Sequence, residues 1–219
     1  MRVAIIVFPG SNCDNDAYHI FKNELNLKTD FVWHKESNLS KYDVVFIPGG
    51  FSYGDYLRAG AIAKFSPIMN EVKVAADKGK LIMGVCNGFQ VLVESNLLPG
   101  ALITNRDVKF LSRRVNLVVK SNSNLFTSKL EIGDILEMPI AHKQGNYIAT
   151  DDQISELWDN DQVVFSYQSN VNGSKDAIAG IVNKNRNILG MMPHPERAAD
   201  NSLGLIDGLK IFNSMIENF

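Results

Sequence analysis

The chain is poor in cysteine, has almost no net charge and lacks a long apolar run, and each lack excludes something. Its 219 residues include 2 cysteines, at positions 13 and 86, too few and too far apart for a disulfide framework or a zinc-finger spacing. Lys plus Arg number 22 and Asp plus Glu 24, a formal net charge of −2, so no overall electrostatic footprint for nucleic acid or an anionic membrane exists. The apolar stretch Leu81–Val93 is broken by Gly84, Asn87, Gly88 and Gln90 and is too short to cross a bilayer. Near the N-terminus, Val3–Phe8 is shorter than the apolar core of a signal peptide and stops at Pro9-Gly10. None of the 4 histidines pairs with another at metal-ligand spacing, and there is no C-x-x-C. These absences predict a cytoplasmic chain with reduced thiols, no catalytic metal, and no nucleic-acid or membrane partner.

What remains is ordinary globular usage, 45% hydrophobic and 21% charged. A chain of this length buries roughly 70–75% of its unfolded surface without covalent staples. With no repeat, low-complexity tract or Pro/Ser-rich linker, residues 1–219 are expected to form one domain.

Short Val/Ile-rich runs alternate with helical stretches in the first half. Strands are predicted at Val3–Phe8, Asp30–His34, Asp43–Ile47 and Leu81–Val85, and helices at Asp14–Leu25, within Gly60–Asp77, and at Gly88–Glu94. Continuous apolar strands point to a parallel sheet covered on both faces, hence a doubly wound α/β fold. In the second half, strands at Val115–Lys120, Ile135–Ile140, Val163–Tyr167, Ala177–Val182 and Ile188–Met191 are separated by polar, Asn-rich loops, predicting a mixed or antiparallel extension. Leu203–Ile216 reads as a closing helix.

The most informative segment is Gly84-Val85-Cys86-Asn87-Gly88, a G-x-C-x-G between a predicted strand and a predicted helix. That is the pattern of a nucleophile elbow with sulfur as the nucleophile. A sharp turn lifts the sulfur to the carboxyl edge of the sheet, small flanking residues let backbones approach, and helix N-terminal N–H groups favour thiolate and hold an oxyanion. The pattern also fits a core cysteine at a strand end. Cys13, in Ser-Asn-Cys-Asp, lacks this setting and is read as a partly buried loop cysteine.

A thiol nucleophile needs a base and an orienting group. His194 lies in Met192-Pro193-His194-Pro195-Glu196, where flanking prolines are expected to hold the chain extended and put Glu196 on the same side as His194. A plain loop histidine in a Pro-rich turn is the alternative. His19 and His34 fall on a helix and a strand end; His142, in Ala-His-Lys-Gln-Gly, sits in a polar turn that could line a site. The segment Pro48-Gly49-Gly50 through Gly60 lacks both the P-loop lysine and the dinucleotide spacing. Gly50 could instead aim its N–H at an attacked carbonyl, forming a two-donor oxyanion hole with Asn87; the alternative is an ordinary turn glycine.

Taken together, these segments resemble the class I (triad) glutamine amidotransferases. Longer stretches resemble, more narrowly, the family of glutaminase subunits of phosphoribosylformylglycinamidine synthases: Gly49-Gly50-Phe51-Ser52-Tyr53-Gly54-Asp55-Tyr56-Leu57-Arg58-Ala59-Gly60, Val85–Gln90, Asn172-Gly173-Ser174 with Ile178–Ile181, Met191–Arg197, and Pro9–Asp14. Val171, Lys143-Gln144 and Arg114 depart from the family pattern. The resemblance implies a flavodoxin-like sheet, a Cys86–His194–Glu196 triad that hydrolyses glutamine, an oxyanion glycine at Gly50, a glutamine-contacting residue at Gln90, and a substrate-lining role for His142. It also implies a large synthetase subunit and a small accessory subunit as partners, with ATP and magnesium on the synthetase and no cofactor on this chain. The basic residues Arg106, Lys109, Arg113, Arg114 and Lys120 fit either a solvated face or a docking surface. Another elbow-cysteine hydrolase, a glutaminase serving a different synthetase, and a non-catalytic regulatory subunit are the competing readings.

Overall fold

The structure is a computed structural model that describes residues 1–217. Its strands are β1 (Arg2–Val7), β2 (Lys28–Trp33), β3 (Val44–Ile47), β4 (Leu81–Val85), β5 (Ala101–Ile103), β6 (Leu111–Val119), β7 (Ile135–His142), β8 (Asn146–Ile148), β9 (Val163–Tyr167), β10 (Ile178–Val182) and β11 (Ile188–Met191). The α-helices are α1 (Asp14–His19), α2 (Pro67–Asp77), α3 (Asn87–Glu94), α4 (Asp151–Asp159) and α5 (Asp207–Glu217).

Strands β3, β4, β9, β10 and β11 are buried at every residue, as expected of strands covered on both faces. They belong to a nine-stranded sheet in the order β2-β1-β3-β4-β11-β10-β9-β6-β7. The half β2-β1-β3-β4-β11 is parallel, the doubly wound, flavodoxin-like order expected from the sequence. From β11 to β7 each pairing is antiparallel, which is the predicted extension. Along β7 burial alternates residue by residue, so this edge has one wet face. Strands β5 and β8 form a separate two-stranded ribbon. Phe21, beyond α1, meets Phe212 of α5 edge-on at 5.1 Å, so the first and last helical segments share a packing layer.

This topology explains why distant residues converge. β1, β3, β4 and β11 are adjacent and parallel, so the loops after them open at one rim. Three reversals beyond β10 bring β7 back to the direction of β4, so its end, His142, lies at that rim too. The carboxyl ends of parallel strands are where open α/β sheets bind ligands.

Local differences from the sequence reading have identifiable causes. The stretch 14–25 is α-helical only to His19 and then widens into a π-helical turn over Ile20–Glu24, closed by Leu25 N–H donating to Ile20 O at 2.9 Å. The last helix begins at Asp207, because Gly204 in the left-handed region (φ 72°) ends the 3₁₀ turn Asn201–Leu203. Helix α4 occupies a region read as loop. It is opened by a capping box between Thr150 and Gln153, each side chain bonding the other's backbone.

The elbow between β4 and α3 requires its glycines. A Cβ on Gly84 would stand 2.7 Å from the Gly88 backbone, and one on Gly88 would overlap the Ile47 carbonyl at the end of β3. We expect Gly88→Ala to destabilise the protein by about 3 kcal/mol, the upper part of the range for overpacking a rigid interior. Urea unfolding measures it; an unchanged midpoint contradicts this account of the elbow.

Candidate active site

Cys86 follows β4 directly and caps α3. Its backbone sits at φ 51°, ψ −107°, a conformation L-residues rarely adopt, worth about 1–3 kcal/mol of strain. The surrounding bonds hold it there: Cys86 N–H donates to Met191 O at 2.8 Å, and Cys86 O accepts from Gln90 N–H at 3.1 Å. The Cys86 thiol lies 3.7 Å from the Ala141 carbonyl, its acceptor, and the residue is 5% exposed.

His194 and Glu196 come from the loop after β11. Both are 1% exposed, and Nδ1 of His194 lies 2.5 Å from Oε1 of Glu196. The pairing expected from the sequence is there, but not by the expected route. His194 is extended, whereas Pro195–Arg197 form a 3₁₀ turn that swings Glu196 back under the ring. His194 N–H donates to Pro139 O at 2.9 Å, anchoring the loop to β7. Burial by itself depresses the imidazole pKa; the Glu196 carboxylate, and after it the Cys13 and Cys86 thiols, reverse this and hold it well above the ordinary histidine value. Nε2 of His194 and Oε2 of Glu196 are buried with no hydrogen-bond partner among the described residues.

Gly49 shows how closely these parts meet. A Cβ there would stand 2.7 Å from His194 Cε1, 3.0 Å from Cys13 Sγ and 3.4 Å from Cys86 Cβ. Residues 13, 86 and 194 therefore surround one point, and only a glycine leaves room for it.

The adjoining Gly50 has φ 140°, and a Cβ would stand 2.6 Å from Asn12 N. It bridges Ser11 through bonds made by its neighbours, Phe51 N–H to Gly10 O at 2.9 Å and Asn12 N–H to Gly49 O at 3.3 Å. Asn87 N–H belongs to the first turn of α3, where backbone donors have no intrahelical acceptor. The Asn87 side chain ties the glycine loop to α3: Oδ1 accepts from Ser52 N–H at 3.1 Å, and Nδ2 donates to Gln90 Oε1 at 2.9 Å. Gln90 Nε2 donates to Gln144 O at 2.6 Å, so its side-chain amide is engaged at both ends. Asp55 faces Asn87 Nδ2 at 3.5 Å, and burial pushes its carboxyl pKa up to about 6.

His142 is 3% exposed. Its Nδ1 lies 3.2 Å from Asn105 Oδ1, while Nε2 has no partner. Burial, and then the nearby His194 charge, pull its pKa down to about 4, so the ring is neutral.

Cys13 is the residue that sequence reasoning missed. It is 4% exposed and lies against His194, with Arg197 Nη2 donating to its sulfur at 3.2 Å. Burial, opposed by the adjacent His194, leaves its thiol pKa raised. No local pattern marks this, because the contact arises only when β1 and β11 end at the same rim. A cleft of about 730 Å³ lined by residues such as Leu97, Pro99, Ala149 and Gln153 shares no residue with this constellation.

The arrangement holds a thiol near an imidazole, a carboxylate on the far ring nitrogen, and the N-terminus of α3 directly after the cysteine. Such a set can perform nucleophilic acyl transfer.

Comparison with known proteins agrees with this chemistry. PurLQS from Thermotoga maritima is similar to this chain at 44% identity over 99% of this chain and 98% of the other, with a TM-score of 0.91. A glutamine amidotransferase from Thermotoga maritima shares the fold at 17% identity, over 99% of this chain and 91% of the other, with a TM-score of 0.59. Residues 1–204 match the CobB/CobQ-like glutamine amidotransferase domain, and the chain therefore belongs to that family of class I glutamine amidotransferases.

Proposed function

We propose that this chain is the glutaminase subunit of a phosphoribosylformylglycinamidine synthase, hydrolysing glutamine and delivering ammonia to a synthetase. The observation that carries this reading is the meeting of Cys86, on a strained elbow, with the buried His194–Glu196 pair, in a chain 44% identical to PurLQS over nearly its whole length.

In this reading Cys86 sulfur attacks the side-chain amide carbon of glutamine as a thiolate, its proton already carried by His194. The N–H groups of Gly50 and Asn87 hold the oxyanion. His194 passes the proton to the leaving nitrogen, ammonia departs, and a glutamyl thioester remains. His194 then removes a proton from water, hydroxide attacks the thioester carbon, and glutamate leaves as the thiol reforms. Glu196 fixes the ring and stabilises its cation. Neutral His142 offers unpartnered Nε2 to the substrate. Gln90 shapes the pocket wall through its tie to Gln144.

Ammonia made this way is consumed by a large synthetase subunit, aided by a small accessory subunit, in the ATP-dependent conversion of formylglycinamide ribonucleotide to the amidine. ATP and magnesium belong to that partner, and this chain needs no cofactor of its own. The cytoplasm, a reducing compartment, keeps both thiols free.

Two outcomes follow. In the assembled complex, Cys86→Ala abolishes glutamine-dependent synthesis and leaves ammonia-dependent synthesis intact; loss of both with the complex still formed refutes the assignment. The second concerns acid stability. A neutral buried His142 binds fewer protons folded than unfolded between about pH 6.5 and about pH 4, so its contribution is present above 6.5 and is lost as pH falls to about 4. His142→Asn flattens the fall in unfolding free energy over that window by about 3 kcal/mol. An equally steep profile in the variant counts against a neutral His142.

A further inference from the structure

We propose that Asn105 is a positioning residue that holds His142 with its proton on Nδ1 and a bare lone pair on Nε2, and that this lone pair accepts a hydrogen bond from the carboxamide N–H of the substrate. The tautomer follows from hydrogen bonds within the chain. The identity of the donor rests on the glutaminase reading.

Asn105 lies between β5 and β6 and is 2% exposed. Its side-chain amide is fixed end for end. Oδ1 accepts from Gly145 N–H at 3.0 Å, a group that can only donate. Nδ2 donates to Lys109 O at 2.9 Å and to His142 O at 3.0 Å, groups that can only accept. Turned over, the amide would set like against like at all three contacts. The Asn105 backbone N–H donates to Lys143 O at 2.8 Å, which completes the tie between residues 105–109 and 142–145. Oδ1 is therefore an acceptor where it meets His142 Nδ1 at 3.2 Å, and Nδ1 must carry the proton. The other tautomer would press two lone pairs together in a buried site.

Burial and the His194 charge keep the ring neutral, so with one proton on Nδ1 it leaves Nε2 bare. Gly145 packs against the ring: a Cβ there would stand 2.3 Å from Nδ1 and Cε1 and 2.7 Å from Nε2. Nε2 is buried and has no partner among the described residues. An open buried acceptor costs about 1–3 kcal/mol, so the site favours a ligand that brings a donor. The reacting sulfur is close by, since the Cys86 thiol lies 3.7 Å from the carbonyl of Ala141, the residue before His142. Glutamine held there carries two donors on its carboxamide nitrogen. Ionised glutamate offers only acceptor oxygens, and a glutamate γ-ester has no N–H at that position. The Asn105–His142 pair thus selects the amide over the acid product and over esters.

Long-range proton–nitrogen correlation NMR of the histidine-labelled full chain reads the tautomer without substrate. At neutral pH, wild-type His142 should show Nδ1 protonated and Nε2 bare. In Asn105→Leu, which removes the acceptor, the ring should populate both tautomers. Kinetics of the assembled complex, with glutamine and the γ-methyl ester of glutamate as paired substrates, read the donor. Asn105→Leu should lower kcat/KM for glutamine at least about tenfold and for the ester no more than about twofold. His142→Leu leaves the backbone ties of Asn105 in place; it should show the same split and decides the matter where Asn105→Leu does not fold. A proton on Nε2 in wild type, or an unchanged tautomer in Asn105→Leu, overturns the positioning role. Equal losses on both substrates overturn the carboxamide contact. The stated tautomer in a wild-type complex that hydrolyses no glutamine leaves the positioning role standing and refutes the glutaminase reading instead.

Discussion

A carboxylate and an imidazole, both buried and 2.5 Å apart, set the terms for everything around them. Neither group tolerates burial as a lone charge, and removing one partner of such a pair costs about 3–5 kcal/mol. The imidazole therefore keeps its proton because the carboxylate is there, and the ring cannot rotate without breaking the contact. Fixing the ring this way leaves Nε2 turned to the sulfurs. The neighbouring structure accommodates that ring: glycine at 49, a 3₁₀ turn after Pro195, and a β7 carbonyl anchoring the His194 backbone.

The sheet supplies the remaining precision. Parallel strands β1, β3, β4 and β11 deliver Cys13, Gly50, Cys86 and His194 to one rim, although Cys13 and His194 are 181 positions apart. Backbone strain at Cys86 is held by main-chain bonds to β11 and α3, and a chain of hydrogen bonds from the Ser52 N–H through the Asn87 and Gln90 side chains to the Gln144 carbonyl locks the glycine loop against α3. In the proposed reaction these ties keep the oxyanion donors in place before substrate arrives, which is where electrostatic stabilisation is most effective.

Much of this was legible in the residues. Leu81–Val85, Val163–Tyr167 and Ile188–Met191 read as strands at their observed bounds, because each is a short apolar run broken by a single small residue. The elbow was legible because glycine is demanded at 84 and 88 by backbone contact. The His194–Glu196 pair was legible from spacing, yet its geometry was not: proline at 195 begins a 3₁₀ turn as readily as it extends a chain. Helix α4 carried a Thr150–Gln153 capping box, a local signal obscured by the asparagine-rich surroundings. The π-helical widening after His19 and the approach of Cys13 to His194 had no local signal, since tertiary packing decides both.

The central claim is that Glu196 holds His194 as a buried, proton-bearing ring. Nitrogen-15 NMR of the histidine-labelled chain tests it most directly. The account predicts that His194 stays protonated well above the ordinary histidine value of about 6.5, with its Nδ1 proton shifted far downfield by Glu196. A His194 that titrates near 6.5 and shows no protected Nδ1 proton contradicts it.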